Sequence, residues 1–413
     1  MRPLINLSLL RRNPKFRLLY TGRFISFMGT MVASVALPYQ IYHITQSTMM
    51  VGLLSLFQLL PLLFTALLGG VFADRYHRRV LLVIAEISLA CGSLLLAGNA
   101  LFATPRIWII FVVAPLMSAF NGFHRPAFNS VVQQLVAKKD YAEIGPLNTF
   151  TFSLCAIAGP AVGGLLIAHL GVLVTFLVDS ASFMASLSAI LLIGNVPRLK
   201  ERRDESTWSA LKEGFHYAFS KQELLGTYAV DFLAMVFGMP MALFPAMAES
   251  YGGVKTLGML YSAPAVGALI ISLFSGWTLH IKRHGAAVAI AASCWGIAII
   301  FFGIFRAHLC IALIFLAFAG GFDAVSGMFR NIMWNESVSH EFRGRLAGIE
   351  MLSYLSGPKL GDTEAGLVAA AFGVSASIIS GGVLCVITVA ASCYFLPRFW
   401  RYRSKVSNER KSA

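Results

Sequence analysis

Apolar stretches of membrane-spanning length follow one another along almost the whole chain, separated by short polar segments. A helix needs roughly 20 mostly apolar residues to cross the hydrocarbon core of a bilayer, and each stretch meets that length. The pattern predicts an all-α membrane protein with twelve transmembrane helices. The predicted spans are 18–42, 50–73, 80–102, 107–134, 146–169, 172–194, 224–248, 256–279, 286–305, 309–334, 346–370 and 374–397.

The longest polar segment, residues 195–223, divides the spans into two sets of six. Its first part is rich in charge and predicts a solvated linker, whereas Trp208, Leu211, Phe215 and Phe219 recur at helical spacing. We expect a short amphipathic helix on the inner membrane surface. The predicted organisation is an N-terminal six-helix bundle at 1–194, a cytoplasmic linker at 195–223, a C-terminal six-helix bundle at 224–397 and a basic tail at 398–413.

The two sets of six spans carry matching sequence features. Gly159-Pro-Ala-Val-Gly163 in span five answers Gly357-Pro-Lys-Leu-Gly361 in span eleven, at an offset of 198 residues. Phe120-Asn121 in span four answers Phe322-Asp323 in span ten at an offset of 202, and a glycine pair that closes spans two and eight has an offset of 206. Three near-equal offsets between corresponding spans indicate an internal repeat.

The composition supports a membrane location. Hydrophobic residues make up 57% of the chain and charged residues 13%, whereas soluble domains average about 25% charged. The net charge of +14 alone would suggest nucleic-acid binding, but nearly all basic residues outside the spans lie on one side, with Arg106, Lys255 and Arg306 on the other. This asymmetry follows the positive-inside rule, so we expect both termini in the cytoplasm and no nucleic-acid partner.

The six cysteines lie in or at the edge of apolar stretches, and no two form a Cys-x-x-Cys pair. Buried cysteine behaves as a small hydrophobe, so we expect no disulfide framework, no metal site and no cofactor. The sequence also lacks a phosphate-binding Gly-x-x-x-x-Gly-Lys-Ser/Thr loop, an HExxH motif and a Gly-x-Ser-x-Gly motif. We therefore expect neither an enzyme nor an ATP-driven pump.

The segment after span two reads Gly69-Gly-Val-Phe-Ala-Asp-Arg-Tyr-His-Arg-Arg79. It resembles the major facilitator signature Gly-x-x-x-Asp-Arg-x-x-Arg-Arg, at the place where that signature stands in a twelve-span chain. The resemblance implies two pseudo-symmetric six-helix bundles and a cluster that latches the cytoplasmic side. An alternative is that the arginines only enforce topology. The cluster residues are Gly70, Asp74, Arg75, Arg78 and Arg79.

Span five contains Gly159-Pro160-x-x-Gly163-Gly164. These residues resemble the antiporter motif of major facilitator exporters, which argues against an importer. The first glycine of the longer motif is absent, with Cys155 near its place. The alternative interpretation is ordinary helix packing through small residues.

Seven further segments, most of them in the first 80 residues, are Asn6-Leu-Ser-Leu-Leu10, Pro14-x-Phe-Arg17, Arg23-Phe-Ile-Ser26, Pro38-x-Gln-Ile41, Thr45-x-Ser-Thr48, Val51-Gly-Leu53 and Gly361-Asp362. They resemble the enterobactin (siderophore) exporter family. This similarity implies a proton-driven siderophore exporter in the inner membrane of a Gram-negative bacterium. His124-Arg-Pro-Ala-Phe128 instead resembles drug-efflux relatives, so multidrug efflux by the same fold stays the alternative.

Ionisable residues inside spans are costly there and usually serve a function. A proton-coupled exporter needs an acid that binds a proton on one side of the membrane and releases it on the other. Asp362, in a glycine-rich part of span eleven, is the first candidate, followed by Glu364 and Asp323. The alternative for Asp362 is a static ion pair with Lys359, three residues earlier on the same helix.

Cations inside spans are candidates for binding a substrate, because siderophores often carry carboxylates or catecholates. For each arginine a structural ion pair is the alternative, and structural roles are favoured for Glu86 and Asp179. We expect a monomer whose partners are a small-molecule substrate, protons and lipid. The candidate cations are Arg23, Arg125, Arg330 and Lys359.

Overall fold

The structure is a computed structural model that describes residues 8–75, 77–137, 140–194, 213, 216–339 and 342–404, with backbone alone at 67–75, 142, 279, 343–345 and 347–352. The regular structure of these residues is helical. The α-helices are α1 (Ser8–Arg12), α2 (Pro14–Ala33), α3 (Ala36–Thr45), α4 (Thr48–Arg75), α5 (Arg78–Ala100), α6 (Ile107–Leu135), α7 (Tyr141–Leu192), α8 (Gln222–Gly238), α9 (Phe244–Ser250), α10 (Val254–Leu273), α11 (His284–Ile304), α12 (Leu309–Ser337), α13 (Arg343–Phe372), α14 (Val374–Phe395) and α15 (Pro397–Trp400). Two 3₁₀ turns lie at Met241–Leu243 and Ser275–His280.

Each of the twelve predicted spans overlaps helices of the structure. Ten helical stretches within the described ranges are long and apolar enough to cross a membrane. One of them, Glu143–Leu192, has 50 residues, a length of about 75 Å at 1.5 Å per residue, more than twice a hydrocarbon core of about 30 Å. It therefore holds spans five and six, and α13 holds span eleven. The predicted all-α membrane fold is confirmed.

Two of the predicted spans are not single helices. Span one divides into α2 and α3 around Ser34 and Val35, because Pro38 has no N–H to donate to the carbonyl of Ser34. Span seven ends its first helix at Gly238, and Pro240 precedes the short turn that leads into α9. Breaks of this kind free backbone groups, which must find other partners inside a membrane.

The chain forms two compact units, which we describe one at a time. The start of α4 belongs to the second unit and the start of α10 to the first. The predicted sequence boundaries of the bundles stay a prediction, and most of the linker 195–223, with its amphipathic helix, lies outside the described residues. The first unit comprises residues 1–46, 57–203 and 248–262, and the second comprises 47–56, 204–247 and 263–413.

Each unit has apolar clusters of its own. In the first unit Phe16 of α2 belongs to one buried cluster with Leu82 of α5 and Val131 of α6. In the second unit Leu224 of α8 belongs to a cluster that includes Leu346 of α13. The helices of each unit therefore pack through fully buried side chains, as they do in soluble bundles.

The internal repeat is visible at two glycines. Gly171, with φ of 82°, lies at the bend between spans five and six, and Gly373, with φ of 88°, joins α13 to α14. Both adopt the left-handed backbone that glycine reaches without steric cost. Their offset is 202 residues, one of the offsets that the sequence repeat shows. The two glycines therefore take equivalent places in the sequence repeat.

Candidate functional site

The carboxylate of Asp362 lies where three helical segments of the second unit meet. Oδ2 accepts a hydrogen bond from Ser55 Oγ of α4 at 3.1 Å. Oδ1 accepts one from the backbone N–H of Ala242 at 2.9 Å, in the 3₁₀ turn that follows the break in span seven. Both donors are neutral, so they hold the carboxylate in place without neutralising its charge.

Glycines bring the helix backbones close together around Asp362. A Cβ added at Gly361 would lie 2.4 Å from the carbonyl oxygen of Met235 in α8. A Cβ added at Gly366 would lie 2.6 Å from the carbonyl oxygen of Thr48 in α4. Because only glycine permits such close approach, the short aspartate side chain reaches partners on both neighbouring segments.

The first unit has a glycine where the second unit has this acid. The repeat offset of 198 aligns Asp362 with Gly164 in α7. Gly164 packs on Gly258 of α10, where an added Cβ would lie 2.9 Å from the backbone nitrogen. Gly258 is in turn the counterpart of Gly52 in α4, at the offset of 206. The equivalent crossing packs through glycine alone, so packing does not require the carboxylate of Asp362.

Two other candidates share α13 with Asp362. Lys359 is half-buried and interacts electrostatically with Asp362, so the static pair stays an alternative. Glu364 is half-buried two residues further on, roughly 200° round the helix. No hydrogen bond joins Glu364 to another side chain in the described ranges. The structure therefore brings Asp362, and not Glu364, to the crossing with α4.

Asp323 and Arg330 belong to a second charged cluster of the same unit. Both lie on α12, two helical turns apart. Arg330 forms an ion pair with Asp231 of α8, and its NH2 lies 3.6 Å from Oδ1 of Asp323. Two carboxylates therefore face one guanidinium in this cluster. Arg330 is therefore held by acids of the protein itself.

A buried polar chain crosses the first unit. Arg23 of α2 donates through NH1 to Nδ1 of His124 in α6 at 3.0 Å, because a guanidinium has no acceptor. The other ring nitrogen, Nε2, therefore carries the proton and donates to Oε1 of Glu86 in α5 at 2.9 Å. Ser186 Oγ of α7 donates to the same oxygen at 2.7 Å. His124 is thus a neutral bridge between the charges of Arg23 and Glu86.

The remaining charges of the first unit have separate places. Arg23 also lies over the rings of Phe27 and Phe128, at 5.3 and 5.2 Å from their centroids. Arg125 has an exposed side chain, and Asp179 is 3% exposed and accepts a hydrogen bond from Ser93. The structural roles expected for Glu86 and Asp179 stay predictions, as does substrate binding by Arg23 and Arg125.

The predicted cytoplasmic cluster is described only in part. Arg79 donates through NH2 to the carbonyl oxygen of Leu191, near the end of α7, at 3.0 Å. Arg78 begins α5. The latch predicted for this cluster stays a prediction. Three of its residues have described backbones in α4 but side chains outside the described residues, namely Gly70, Asp74 and Arg75.

The glycines of the antiporter-like motif hold helices of the first unit together. A Cβ added at Gly159 would lie 2.3 Å from the Cβ of Met31, and one at Gly163 would lie 2.3 Å from the carbonyl oxygen of Val32. Met31 and Val32 both lie in α2, whereas Gly164 faces α10. The motif therefore makes tight helix contacts, and any part that it takes in antiport stays a prediction.

Comparisons with known proteins agree with this architecture. The profile of the family described as transmembrane secretion effector matches residues 7–411. The chain belongs to this family, a branch of the major facilitator superfamily. It is 28% identical over 388 residues to the enterobactin exporter EntS of Shigella boydii, covering 94% of this chain and 93% of that protein.

Solved structures show the same fold at lower identity. A POT family transporter in complex with 5-aminolevulinic acid superposes with a TM-score of 0.73, at 13% identity, over 94% of this chain and 97% of that one. A bacterial homologue of the human lysosomal transporter Spinster, inward-facing and unoccupied, gives 0.72 at 15% identity over 97% and 98%. The protein is a major facilitator membrane transporter.

Part of this transporter's polar framework is not marked by any pattern in the sequence. Ser55 and the amide of Ala242, which hold Asp362, are ordinary residues in apolar runs, and nothing in their spacing marks them. His124 was visible as a polar residue inside a span, but its partners on α2 and α5 are not neighbours in sequence. Within the described residues no group of three or more His, Cys, Asp or Glu side chains is placed to hold a metal ion.

Replacing Gly163 by alanine is expected to destabilise the first unit of the transporter. The new methyl group meets the backbone of Val32 in α2, and overpacking of this kind costs about 1–3 kcal/mol. Gly98→Ala is the matched control, since nothing lies within 4 Å of a Cβ there. Thermal unfolding in detergent should show a lower Tm for Gly163→Ala only. Equal Tm values for the two variants would contradict the close approach of α2 and α7.

Proposed function

We propose that this transporter is a proton-driven exporter of a siderophore in the inner membrane, with both termini in the cytoplasm. The similarity to the enterobactin exporter covers 94% of this chain and supports export of a compound of that class. Transport proceeds by alternating access, in which the substrate site opens to one side of the membrane at a time. We expect the monomer to be sufficient.

The observation that carries the proton-coupling part of this proposal is the position of Asp362. Its carboxylate is not needed for helix packing, since glycine takes the equivalent place in the first unit. It nonetheless lies inside a predicted span and contacts two other helical segments. The equivalent helix crossing in the first unit packs with glycine at this position, so an ionisable group here is best explained by a function that needs charge.

Protonation changes the strength of the hydrogen bonds that Asp362 accepts. The ionised carboxylate accepts charge-assisted hydrogen bonds from Ser55 and from the N–H of Ala242, which are stronger than bonds between neutral groups. When the proton arrives, both contacts weaken, and α4 and the turn at Met241–Leu243 are released from α13. A proton thereby favours one conformation over another, which is the condition for coupling proton flow to transport. Glu364 and Asp323 are the next candidates for this role.

Siderophore secretion in iron-starved cells tests the proposed substrate. Cells with and without the gene are compared by mass spectrometry of medium and cytoplasm. We expect the deletion strain to lose siderophore from the medium and to accumulate it inside, and a plasmid copy to restore secretion. Unchanged secretion in a strain without a redundant pump would contradict siderophore export.

Efflux of toxic compounds is the second candidate function. The excess of carboxylates over guanidinium in the Asp231–Arg330–Asp323 cluster suits cationic compounds, which many toxic substances are. A susceptibility screen of the same deletion strain distinguishes the two functions. Increased sensitivity to cationic dyes together with normal siderophore secretion would favour efflux of toxic compounds.

A further inference from the structure

A cavity of about 70 Å³ lies in the second unit, behind the break in span seven. Sites that hold whole drug-sized ligands occupy roughly 300–1,000 Å³, so this cavity suits at most one small ring and not a whole large substrate. Its lining residues belong to α8, the turn after it, α9, α10, α11 and α12. The side chains that matter for its chemistry are Met235, Met239, Met241, Phe244, Trp295 and Asp323.

The walls of this cavity favour a flat aromatic group. Methionine side chains adapt to irregular shapes and make favourable contacts between sulfur and an aromatic ring. The indole of Trp295, only 6% exposed, and the ring of Phe244, 1% exposed, offer rigid faces and edges for stacking. A purely aliphatic ligand would use the space but not these contacts.

Asp323 gives the cavity one polar requirement. Its Oδ1 is buried and has no hydrogen-bond donor within the described residues. The nearest cation is Arg330, whose NH2 lies 3.6 Å from that oxygen and which already pairs with Asp231. A buried acceptor without a donor costs free energy, so a ligand that brings an O–H or N–H is favoured. Because two carboxylates face one guanidinium here, a ligand that is itself an anion is disfavoured.

A residue that lines the cavity is the neighbour in sequence of the residue whose N–H donates to Asp362, the proposed proton-coupling acid. The N–H that Asp362 holds belongs to Ala242, and the preceding residue, Met241, lines the cavity together with Pro240. A ligand that presses on Met241 therefore moves the amide that Asp362 binds. Coupling of this kind is reciprocal, because each event changes the free energy of the other.

We infer that this cavity is a substrate subsite for an aromatic ring that carries a hydrogen-bond donor, and that its occupancy is coupled to Asp362 through the turn at residues 240–242. The inference rests on the proposed function, in which Asp362 carries the transported proton. The donor is either a neutral phenolic O–H or a cationic N–H. Ring and donor together define the ligand class.

Binding of small aromatic probes to the purified full-length protein in detergent tests the inference. We use 2,3-dihydroxybenzamide as the phenolic probe, benzylammonium as the cationic probe and 2,3-dimethoxybenzamide as the ring without donors. Calorimetry should show binding of at least one donor probe, and binding at least tenfold weaker for the dimethoxy compound. Equal affinity for all three would overturn the requirement for a donor.

Two variants of the lining and one control variant test whether the probe binds in this cavity. Asp323→Asn keeps the shape and removes the charge, and Trp295→Phe removes one stacking face, so each should weaken binding at least fivefold. Glu223→Gln, which changes an acid of α8 outside the cavity lining, should bind as the wild type does. If Asp323→Asn unfolds, Trp295→Phe alone decides. Unchanged affinity in the folded variants would overturn the site.

Asp362→Asn tests the coupling, because Asp362 does not line the cavity. We expect the probe affinity to change at least threefold in this variant, and an unchanged affinity would overturn the coupling. These outcomes are independent of the secretion assay. If the deletion strain loses siderophore secretion but the cavity variants bind the probe normally, the subsite is wrong and siderophore export stands. If the cavity variants lose probe binding but the deletion strain secretes siderophore normally, siderophore export is wrong and the subsite stands.

Discussion

Asp362→Asn is expected to abolish proton-driven accumulation of substrate while leaving the transporter folded. Asparagine keeps the size of the side chain, its Oδ1 can still accept from the N–H of Ala242 and its Nδ2 can donate to Ser55 Oγ. These bonds lack the charge of the carboxylate, and asparagine cannot take up and release a proton. The protein then has no means to couple the proton gradient to the conformational change at this site. We expect at least a tenfold loss of uphill transport, measured in membrane vesicles with an imposed pH gradient.

Counterflow separates a loss of coupling from a loss of folding in this variant. Exchange of labelled for unlabelled substrate needs the conformational change but no net proton movement, so it should persist in Asp362→Asn. Glu143→Gln, at an exposed ion pair of the first unit, serves as the matched acid control and should transport normally. Full uphill transport by Asp362→Asn would remove this acid from the coupling role.

Glu86→Ala is expected to have the largest effect on stability. Glu86 is 1% exposed and neutralises the charge of Arg23 through the bridging ring of His124. Removing it leaves an uncompensated guanidinium inside the unit, and breaking a buried charge pair costs about 3–5 kcal/mol. We expect unfolding at a markedly lower SDS fraction in mixed detergent micelles, followed by tryptophan fluorescence.

Glu143→Ala is the matched control for that measurement. Glu143 pairs with Arg12 at 2.9 Å, but the arginine side chain is 56% exposed, and surface pairs contribute about 0–1 kcal/mol. The two variants therefore remove one glutamate each from the same unit, with expected costs that differ several-fold. Equal stability of Glu86→Ala and the wild type would contradict the buried chain from α2 to α5.

Much of the fold was predictable because the bilayer imposes simple rules on sequence. Apolar length fixes the spans, and basic asymmetry fixes an expected orientation. The offset of 198 residues indicates the repeat from sequence alone. In the structure the repeat relates two helix crossings, because Gly164 packs on α10 and its counterpart Asp362 binds α4. The breaks at Ser34 and after Gly238 were less evident, because a proline in a span bends some helices and interrupts others.

The candidate site was predictable as residues but not as contacts. Asp362 stood out because charge inside a span is costly. That Arg330 is paired with Asp231 on α8, and that Arg23 is bound to His124, depends on which faces of distant helices meet. Sequence spacing shows which residues share one face of a helix, but it does not show which other helix packs against that face. Arg23 and Arg330, two of the cations expected to bind an anionic substrate, therefore have protein partners.

Proton movement driven by a substrate gradient is the most direct test of proton-coupled siderophore export. The purified protein is reconstituted into liposomes that contain a pH-sensitive dye, and a siderophore gradient is imposed across the membrane with no initial pH difference. We expect protons to move in the direction opposite to the siderophore, and we expect Asp362→Asn to move siderophore without protons. Siderophore movement without protons in the wild type, or protons moving in the same direction as the siderophore, would contradict proton-coupled export.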